Sequence, residues 1–167
     1  MNFIKNTIIV ITIALCLVPA LAISQTVNPD IEATTPDSKF TDNGNGTVTD
    51  LNTGLMWKKN HESEPYSWSQ ALQRVQNVNS GGGFAGYTDW RVPNLKELKS
   101  IIEEKCYDPA INLNIFPGTP SNNFWSSSSV AHIGQNAWYF DFKNGFNRYD
   151  HEKEYYRHYV RLVRGGQ

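Results

Sequence analysis

The sequence predicts an α+β fold, in which an antiparallel β-sheet is combined with two helices and long irregular loops. Short runs of β-branched and aromatic residues, separated by turns such as Asn-Gly, indicate antiparallel strands in both halves of the chain. Two stretches begin with helix-capping residues and continue with apolar residues at helical spacing. The 167 residues, of which 40% are hydrophobic and 13% aromatic, suffice for one domain with a buried core.

Residues 1–22 have the pattern of a secretory signal peptide. Lys5 precedes an apolar stretch that ends at Pro19, and residues 20–22 (Ala-Leu-Ala) form a small-x-small cleavage site. An uncleaved anchor is the alternative, although the apolar run is shorter than the ~20 residues of a membrane span. A lipid-modified Cys16 is disfavoured by the bulky leucine before it. We expect an exported protein, periplasmic, cell-surface or secreted, without a membrane span after cleavage.

Residues 23–39 are predicted to be a flexible tether. The stretch contains two prolines and several Ser and Thr residues, and its apolar residues have no period that would form one packing face. We therefore place the folded domain at residues 40–167.

The domain opens with a predicted β-meander. Residues 42–46 (Asp-Asn-Gly-Asn-Gly) hold two Asn-Gly pairs, which are typical of tight turns. A strand over residues 47–50, a turn over residues 52–54 and a strand over residues 55–57 complete it.

The same Asp/Asn/Gly run has a second interpretation as a calcium-binding loop, since EF-hand loops alternate oxygen ligands before a glycine. With Gly46 in the sixth position, Thr41 would be first and Asn52 twelfth, so the acidic first ligand and the bidentate Glu are missing. The hairpin is favoured, and we expect no metal and no cofactor.

The first helix is predicted to begin at Ser67, because Ser67 and Gln70 form a capping box. Its end is predicted at the three glycines of residues 81–83. An apolar stripe at helical spacing favours core packing, so we interpret this helix as a structural buttress and not as a site; the stripe comprises Trp68, Ala71, Leu72, Val75 and Val78.

The second helix is predicted to open at Pro93 and Asn94. Its predicted core face comprises Leu95, Leu98, Ile101 and Ile102. Its predicted outer face comprises Lys96, Glu97, Lys99 and Glu103.

The second half of the domain is predicted to be a long loop followed by strands. Residues 108–123 carry three prolines and a glycine, and long loops often have a function. Strands are predicted at residues 124–127 and 137–142, with a turn at residues 144–145. Alternating residues over 155–164 predict a last strand, paired with the opening strands.

Cys106 is the only cysteine that remains after the predicted signal cleavage. One cysteine cannot form an internal disulfide, even in an oxidising compartment. A buried inert thiol is one interpretation, and a nucleophile or an intermolecular bridge is the other.

Four blocks of the sequence resemble, in order and at the usual spacing, the Lcl C-terminal domain family. They are DNGNGTVTDLNTGLMW at residues 42–57, GYTDWRVPNLKEL at 86–98, FWSSS at 124–128 and YVRLVRG at 159–165. The resemblance implies a C-type-lectin-like fold, related in shape to formylglycine-generating enzymes and phage tropism determinants. The best-known member of the family is the C-terminal domain of a collagen-like bacterial adhesin, which binds sulphated glycans and self-associates through trimers. This chain contains no Gly-x-y tract, so a homo-oligomer is expected only as one possibility.

The signature residues of these blocks are predicted to be mainly structural, since large flat side chains fill a small core and Arg91 can bond loop carbonyls or pair with Asp89. A role in a site is the alternative for Trp90 and Arg91. The set comprises Asp50, Gly54, Trp57, Trp90, Arg91, Pro93, Glu97, Trp125 and Trp138.

The best candidate for a binding site is the basic stretch near the C-terminus. Residues 143–164 hold six Lys and Arg against three acidic residues, with His and Tyr interleaved. Arginine binds sulphate or carboxylate through two hydrogen bonds, and aromatic faces stack on sugar rings. A solvated strand with local ion pairs is the alternative. The predicted glycan- or polyanion-binding residues are Lys143, Arg148, Lys153, Arg157, Tyr159 and Arg161.

The sequence favours a non-catalytic binding module, whose partner is a glycan or polyanion. The alternative is a structural or assembly subunit that binds a surface protein. A net charge of −1 argues against nucleic-acid binding. An enzyme like the formylglycine-generating oxidases is disfavoured, because those enzymes use a cysteine pair and no catalytic residues are indicated by other motifs.

Overall fold

The computed structural model describes residues 25–165, so the predicted signal peptide lies outside the described part of the chain. These residues form an α+β fold, as predicted, with two α-helices and antiparallel sheets. The helices are α1 (Trp68–Ser80) and α2 (Leu95–Lys99), and a 3₁₀ turn covers Asp37–Lys39. The strands are β1 (Thr26–Val27), β2 (Phe40–Asp42), β3 (Thr47–Asp50), β4 (Met56–Lys58), β5 (Cys106–Tyr107), β6 (Asn123–Ser129), β7 (Ala137–Asp141), β8 (Phe146–Arg148) and β9 (Val163–Arg164).

The predicted opening meander is confirmed, and it continues into the closing strand. Strands β2, β3, β4 and β9 form one antiparallel sheet in that order. Val48 lies opposite Trp57, and Trp57 lies opposite Val163. The turn between β2 and β3 has the hairpin geometry expected from the two Asn-Gly pairs, since both of its glycines have positive φ.

Both helices begin where their caps predict. Ser67 and Gln70 make a reciprocal capping box at α1, and Asn94 and Glu97 do the same at α2. The second helix is shorter than its apolar pattern suggested, because Ser100 ends it while Ile101 and Ile102 stay buried in the following turn.

The expected outer position of Glu103 is wrong, and residues of the predicted tether contact the domain. Glu103 is buried, and its carboxylate accepts hydrogen bonds from the backbone and hydroxyl groups of Thr34 and Thr35. Strand β1 also pairs with β5. The hydrogen-bond donors around this carboxylate replace the water that is lost on burial. A polar segment can therefore pack here without an apolar face.

The predicted last strand over residues 155–164 is also wrong for most of its length. Only Val163–Arg164 is a strand. Upstream, His158 bridges Tyr66 on one side, while Tyr159 bridges Phe124 on the other. The segment therefore runs between two neighbours and forms isolated bridges instead of one ladder.

The core consists of two clusters of buried side chains. One surrounds Trp57 and α2, and the other lies between α1 and the β6–β7 hairpin and contains Trp90 and Trp125. These three tryptophans are buried, whereas Trp138 is half exposed.

Other signature residues also have structural contacts. The Asp50 carboxylate accepts from the Asn52 backbone and the Thr53 hydroxyl, Gly54 has a φ of 71°, and Pro93 is buried. These contacts fix the β3–β4 turn and the approach to α2.

Arg91 and Glu97 form a two-bond ion pair, with both N···O distances at 2.7 Å. Arg91 also donates to the carbonyl of Gly165, so the predicted contact with a loop carbonyl is confirmed. The alternative pairing with Asp89 is wrong, because Asp89 pairs with Arg164 at 2.7 Å. The signature therefore connects the start of α2 to the closing strand.

Candidate binding groove

Two open pockets of about 470 Å³ and 400 Å³ meet at Pro65 and Arg157. We call the combined depression the Arg157 groove. The first pocket lies along α1 and is lined by Glu64, Pro65, Tyr66, Gln70, Gln73, Arg74, Asn77 and Arg157. The second is lined by Pro65, Asn122, Asn123, His151, Tyr156, Arg157, His158 and Tyr159.

The amphipathic character of α1 places amide side chains in the first pocket. Ala71 and Val75 turn the apolar stripe into the core, which leaves Gln73 and Asn77 on the outer face. Gln73 donates to Asn77 at 3.1 Å, so the two amides are neighbours one turn apart on the groove wall.

Arg157 is held across the groove by the first turn of α1. Its Nη1 donates to Oε1 of Gln70 at 2.7 Å, and that oxygen also accepts from the backbone of Ser67 in the capping box. The remaining guanidinium donors make no hydrogen bond to the described residues, and the side chain is exposed. Arg157 is therefore fixed at one point and open to a ligand at the others.

A buried carboxylate supports the second arginine of the groove. Glu62, 3% exposed, accepts from Lys58 at 2.5 Å and from Nε of Arg74 at 2.6 Å. Burial raises the pKa of Glu62, but the hydrogen bonds and charges of Lys58 and Arg74 outweigh it and hold the pKa below its usual range. Glu62 stays ionised and neutralises one of its two cations.

Aromatic and imidazole rings form the floor of the second pocket. His151 stacks on Tyr156 at 3.8 Å and on Tyr139 at 4.7 Å, measured between ring centroids. Nδ1 of His151 lies 2.9 Å from Nε2 of His158, which is 5% exposed. Burial lowers the pKa of His158 to about 4, so both rings are uncharged near neutral pH.

Two of the six predicted ligand-binding residues, Arg157 and Tyr159, line the groove. Lys153 is nearby in sequence, but its ammonium donates to Ser129 and Gly134 and lies 4.4 Å from the Trp68 ring centroid. The ammonium group of Lys153 therefore already has partners within the domain.

Arg161 is not part of any exposed patch, which corrects the expectation for that residue. It is fully buried and donates to the carbonyls of Lys58 and Lys59 and to the hydroxyl of Thr119, above the ring of Phe116. Burial lowers the pKa of Arg161 to about 9. Arg161 is covered because this segment of the chain has neighbours on both sides.

Lys143 and Arg148 lie elsewhere, at the β7–β8 turn and on β8. Arg148 lines a separate pocket of about 390 Å³ together with Trp138 and Tyr149, whose ring centroids are 4.8 Å apart. The six predicted residues therefore do not form one site, because only Arg157 and Tyr159 line the groove and the other four lie elsewhere.

A family model described as the Lcl C-terminal domain matches residues 46–164. The chain belongs to this family. No curated protein matches the chain.

Within this Lcl C-terminal domain, the matched region contains the whole Arg157 groove. No helix within residues 25–165 has the length and apolar character that crossing a membrane requires. The same residues contain no group of three or more His, Cys, Asp and Glu side chains arranged to hold a metal ion.

The apolar stripe of α1 did not indicate the contribution of this helix to the groove. The helix was interpreted as a buttress from its apolar stripe, and that stripe does pack in the core. Its opposite face, with Gln70, Gln73, Arg74 and Asn77, lines the first pocket. A helix face rich in amides and arginine was the available signal, since such side chains bond hydroxyl and anionic groups.

Cys106 lies on β5, away from the groove, and is half buried. Burial raises the pKa of its thiol, and the charge of Glu103 adds to that effect. The thiol is therefore protonated near neutral pH, which is unfavourable for a nucleophile.

Proposed function

We propose that this Lcl C-terminal domain is an exported, non-catalytic binding module that holds an anionic glycan in the Arg157 groove, at the bacterial cell surface or in the periplasm. The observation that carries the proposal is the exposed Arg157 guanidinium, fixed by Gln70 at the junction of two pockets. Family membership is consistent with an adhesin-like role. A C-type-lectin-like architecture is part of the same proposal.

The groove has the chemistry that an acidic saccharide requires. A guanidinium with free donors binds sulphate or carboxylate through paired hydrogen bonds. Amide groups of Gln73, Asn77 and Asn122 can donate to and accept from sugar hydroxyls. Tyr66 and Tyr156 offer ring faces on the walls of the two pockets.

The test is binding of sulphated dextran, with unsulphated dextran as the neutral comparison, to the purified protein at about 50 mM and about 500 mM NaCl. Arg157→Gln should weaken binding to sulphated dextran about tenfold, because a charged hydrogen-bond donor is removed. Arg148→Gln is the matched control, since Arg148 is exposed but lies outside the groove. Equal binding by Arg157→Gln and the unmodified protein, or binding that is indifferent to salt, would contradict the proposal.

Assembly with another protein is the second candidate function. Phe146 is 63% exposed on β8, which is an outer strand of its three-stranded sheet. An open strand edge with an exposed aromatic residue favours pairing with another chain. Light scattering of the purified protein tests this, since a complex that Phe146→Ser disperses at every salt concentration would favour assembly.

A further inference from the structure

The hydrogen bonds of His158 fix which nitrogen of each imidazole carries a proton. Nδ1 of His158 lies 2.8 Å from the carbonyl oxygen of Arg157. A carbonyl only accepts, so this Nδ1 carries the hydrogen, and Nε2 of the neutral ring is an acceptor. The hydrogen bond at Nε2 must then be donated by Nδ1 of His151, at 2.9 Å. Nε2 of His151 is left as a lone pair.

This lone pair is accessible to solvent, and the residue lines the second pocket. Nε2 of His151 makes no hydrogen bond to residues 25–165. It is also not one of the buried polar atoms in that range that lack a hydrogen-bond partner, so it is not buried. His151 lines the pocket beside Arg157. The ring is held in place by nearly parallel Tyr139 and Tyr156, at interplanar angles of 13° and 2°.

We propose that protonation of His151 at Nε2 gives the groove a second cationic ligand beside Arg157, so that its affinity for a sulphated glycan rises under mildly acidic conditions. This inference rests on the proposed function and adds a regulation of the same site. The added proton breaks no existing contact, because Nδ1 of His151 continues to donate to His158.

Some groups around His151 favour its protonation, and others oppose it. Asp150 favours the charged form, and the faces of Tyr139 and Tyr156 favour a cation. Burial, which has the largest effect, and the charge of Arg148 disfavour the charged form. Together they hold the pKa of His151 below its usual range.

Two further groups line the same pocket. They are Arg157 and His158, and His158, with a pKa of about 4, stays neutral in mild acid. A sulphate bound in this pocket would favour the charged form of His151, so binding should raise the pKa of His151.

The experiment measures the Kd of a sulphated dextran oligosaccharide at about pH 7.5 and about pH 5, at constant ionic strength. Sulphate esters keep their charge over this range, so the ligand itself does not titrate. The unmodified protein should bind about tenfold more tightly at the lower pH. His151→Gln should lose most of this gain, measured as the ratio of its own Kd values at the two pH values. His132→Gln, which changes an exposed histidine outside the groove, should keep the gain.

The outcomes separate the two proposals. No binding at either pH would overturn the proposed function. Binding that depends on Arg157 but is independent of pH, or a gain that His151→Gln retains, would overturn only the role of His151. NMR titration of the unmodified protein provides a measurement that needs no variant. The pKa of the His151 ring should rise when the oligosaccharide is added, and an unchanged pKa would overturn the inference.

Discussion

Replacing His158 with Gln should make the stability of the domain much less sensitive to acid. His158 is buried, and its two ring nitrogens contact the carbonyl of Arg157 and the ring of His151. Its pKa is lowered to about 4 by burial, from 6.5 in the unfolded chain. A glutamine amide can donate to the carbonyl and accept from His151, but it does not titrate.

The sign and size of the effect follow from these two pKa values. Between them the unfolded chain binds a proton that the native protein does not, so the free energy of unfolding falls as the pH falls. The full loss is ~3 kcal/mol, and ~2 kcal/mol of it occurs between about pH 7 and about pH 5. Carboxylates with lowered pKa values, such as Glu62 and Glu103, also stabilise the native state, but their contribution is lost mainly below this pH range.

The assay is urea unfolding, followed by tryptophan fluorescence, at several pH values from about 7 to about 5. The unmodified protein should lose about 1 M in its unfolding midpoint over this range, given an ordinary urea dependence. His158→Gln should remove most of that loss, while His132→Gln, at an exposed position, should leave it unchanged. A pH dependence that is equal in the unmodified protein and His158→Gln would refute the assignment of His158 as the buried neutral group.

Three further substitutions test the polar contacts that hold the fold together. Arg161→Met should lower the free energy of unfolding by about 3 kcal/mol in urea, because Thr119 and two carbonyls lose their buried donor. Glu103→Gln should cost about 2 kcal/mol and expose residues 25–36 to limited proteolysis, since one new amide group faces the donors of Thr35. Glu97→Gln should cost about 2 kcal/mol in the same urea assay, because it weakens both the two-bond pair with Arg91 and the start of α2. Unchanged unfolding midpoints would contradict each of the three.

Local chemistry in the sequence predicted the elements that depend on neighbouring residues. The Asn-Gly pairs between β2 and β3 specify a tight turn by conformation alone, and the hairpin forms there. The capping boxes at Ser67 and Asn94 locate the first residue of each helix. In each case the interacting groups lie within four residues of one another, so the sequence spacing contains the geometry.

The remaining features depend on contacts between distant parts of the chain. Thr34 and Thr35 are ordered by Glu103, which lies about 70 residues away, and nothing in the composition of the N-terminal segment indicates such a partner. Contacts between distant parts of the chain also explain why the predicted ligand-binding residues do not lie together. Alternation along residues 155–164 predicted one strand, but hydrogen bonds to two different neighbours decide which side chains face solvent.

Arg157 and Arg161 show how this difference bears on function. They lie four residues apart in the sequence, and both were predicted to bind a glycan or polyanion. Arg157 is fixed by one hydrogen bond and open to solvent, so its removal should affect a ligand more than the fold. Arg161 is enclosed and bonds three acceptors, so its removal should affect the fold first. A loss of glycan binding in a protein altered at both positions would therefore not identify the site. Only Arg157→Gln with unchanged unfolding in urea separates recognition from stability.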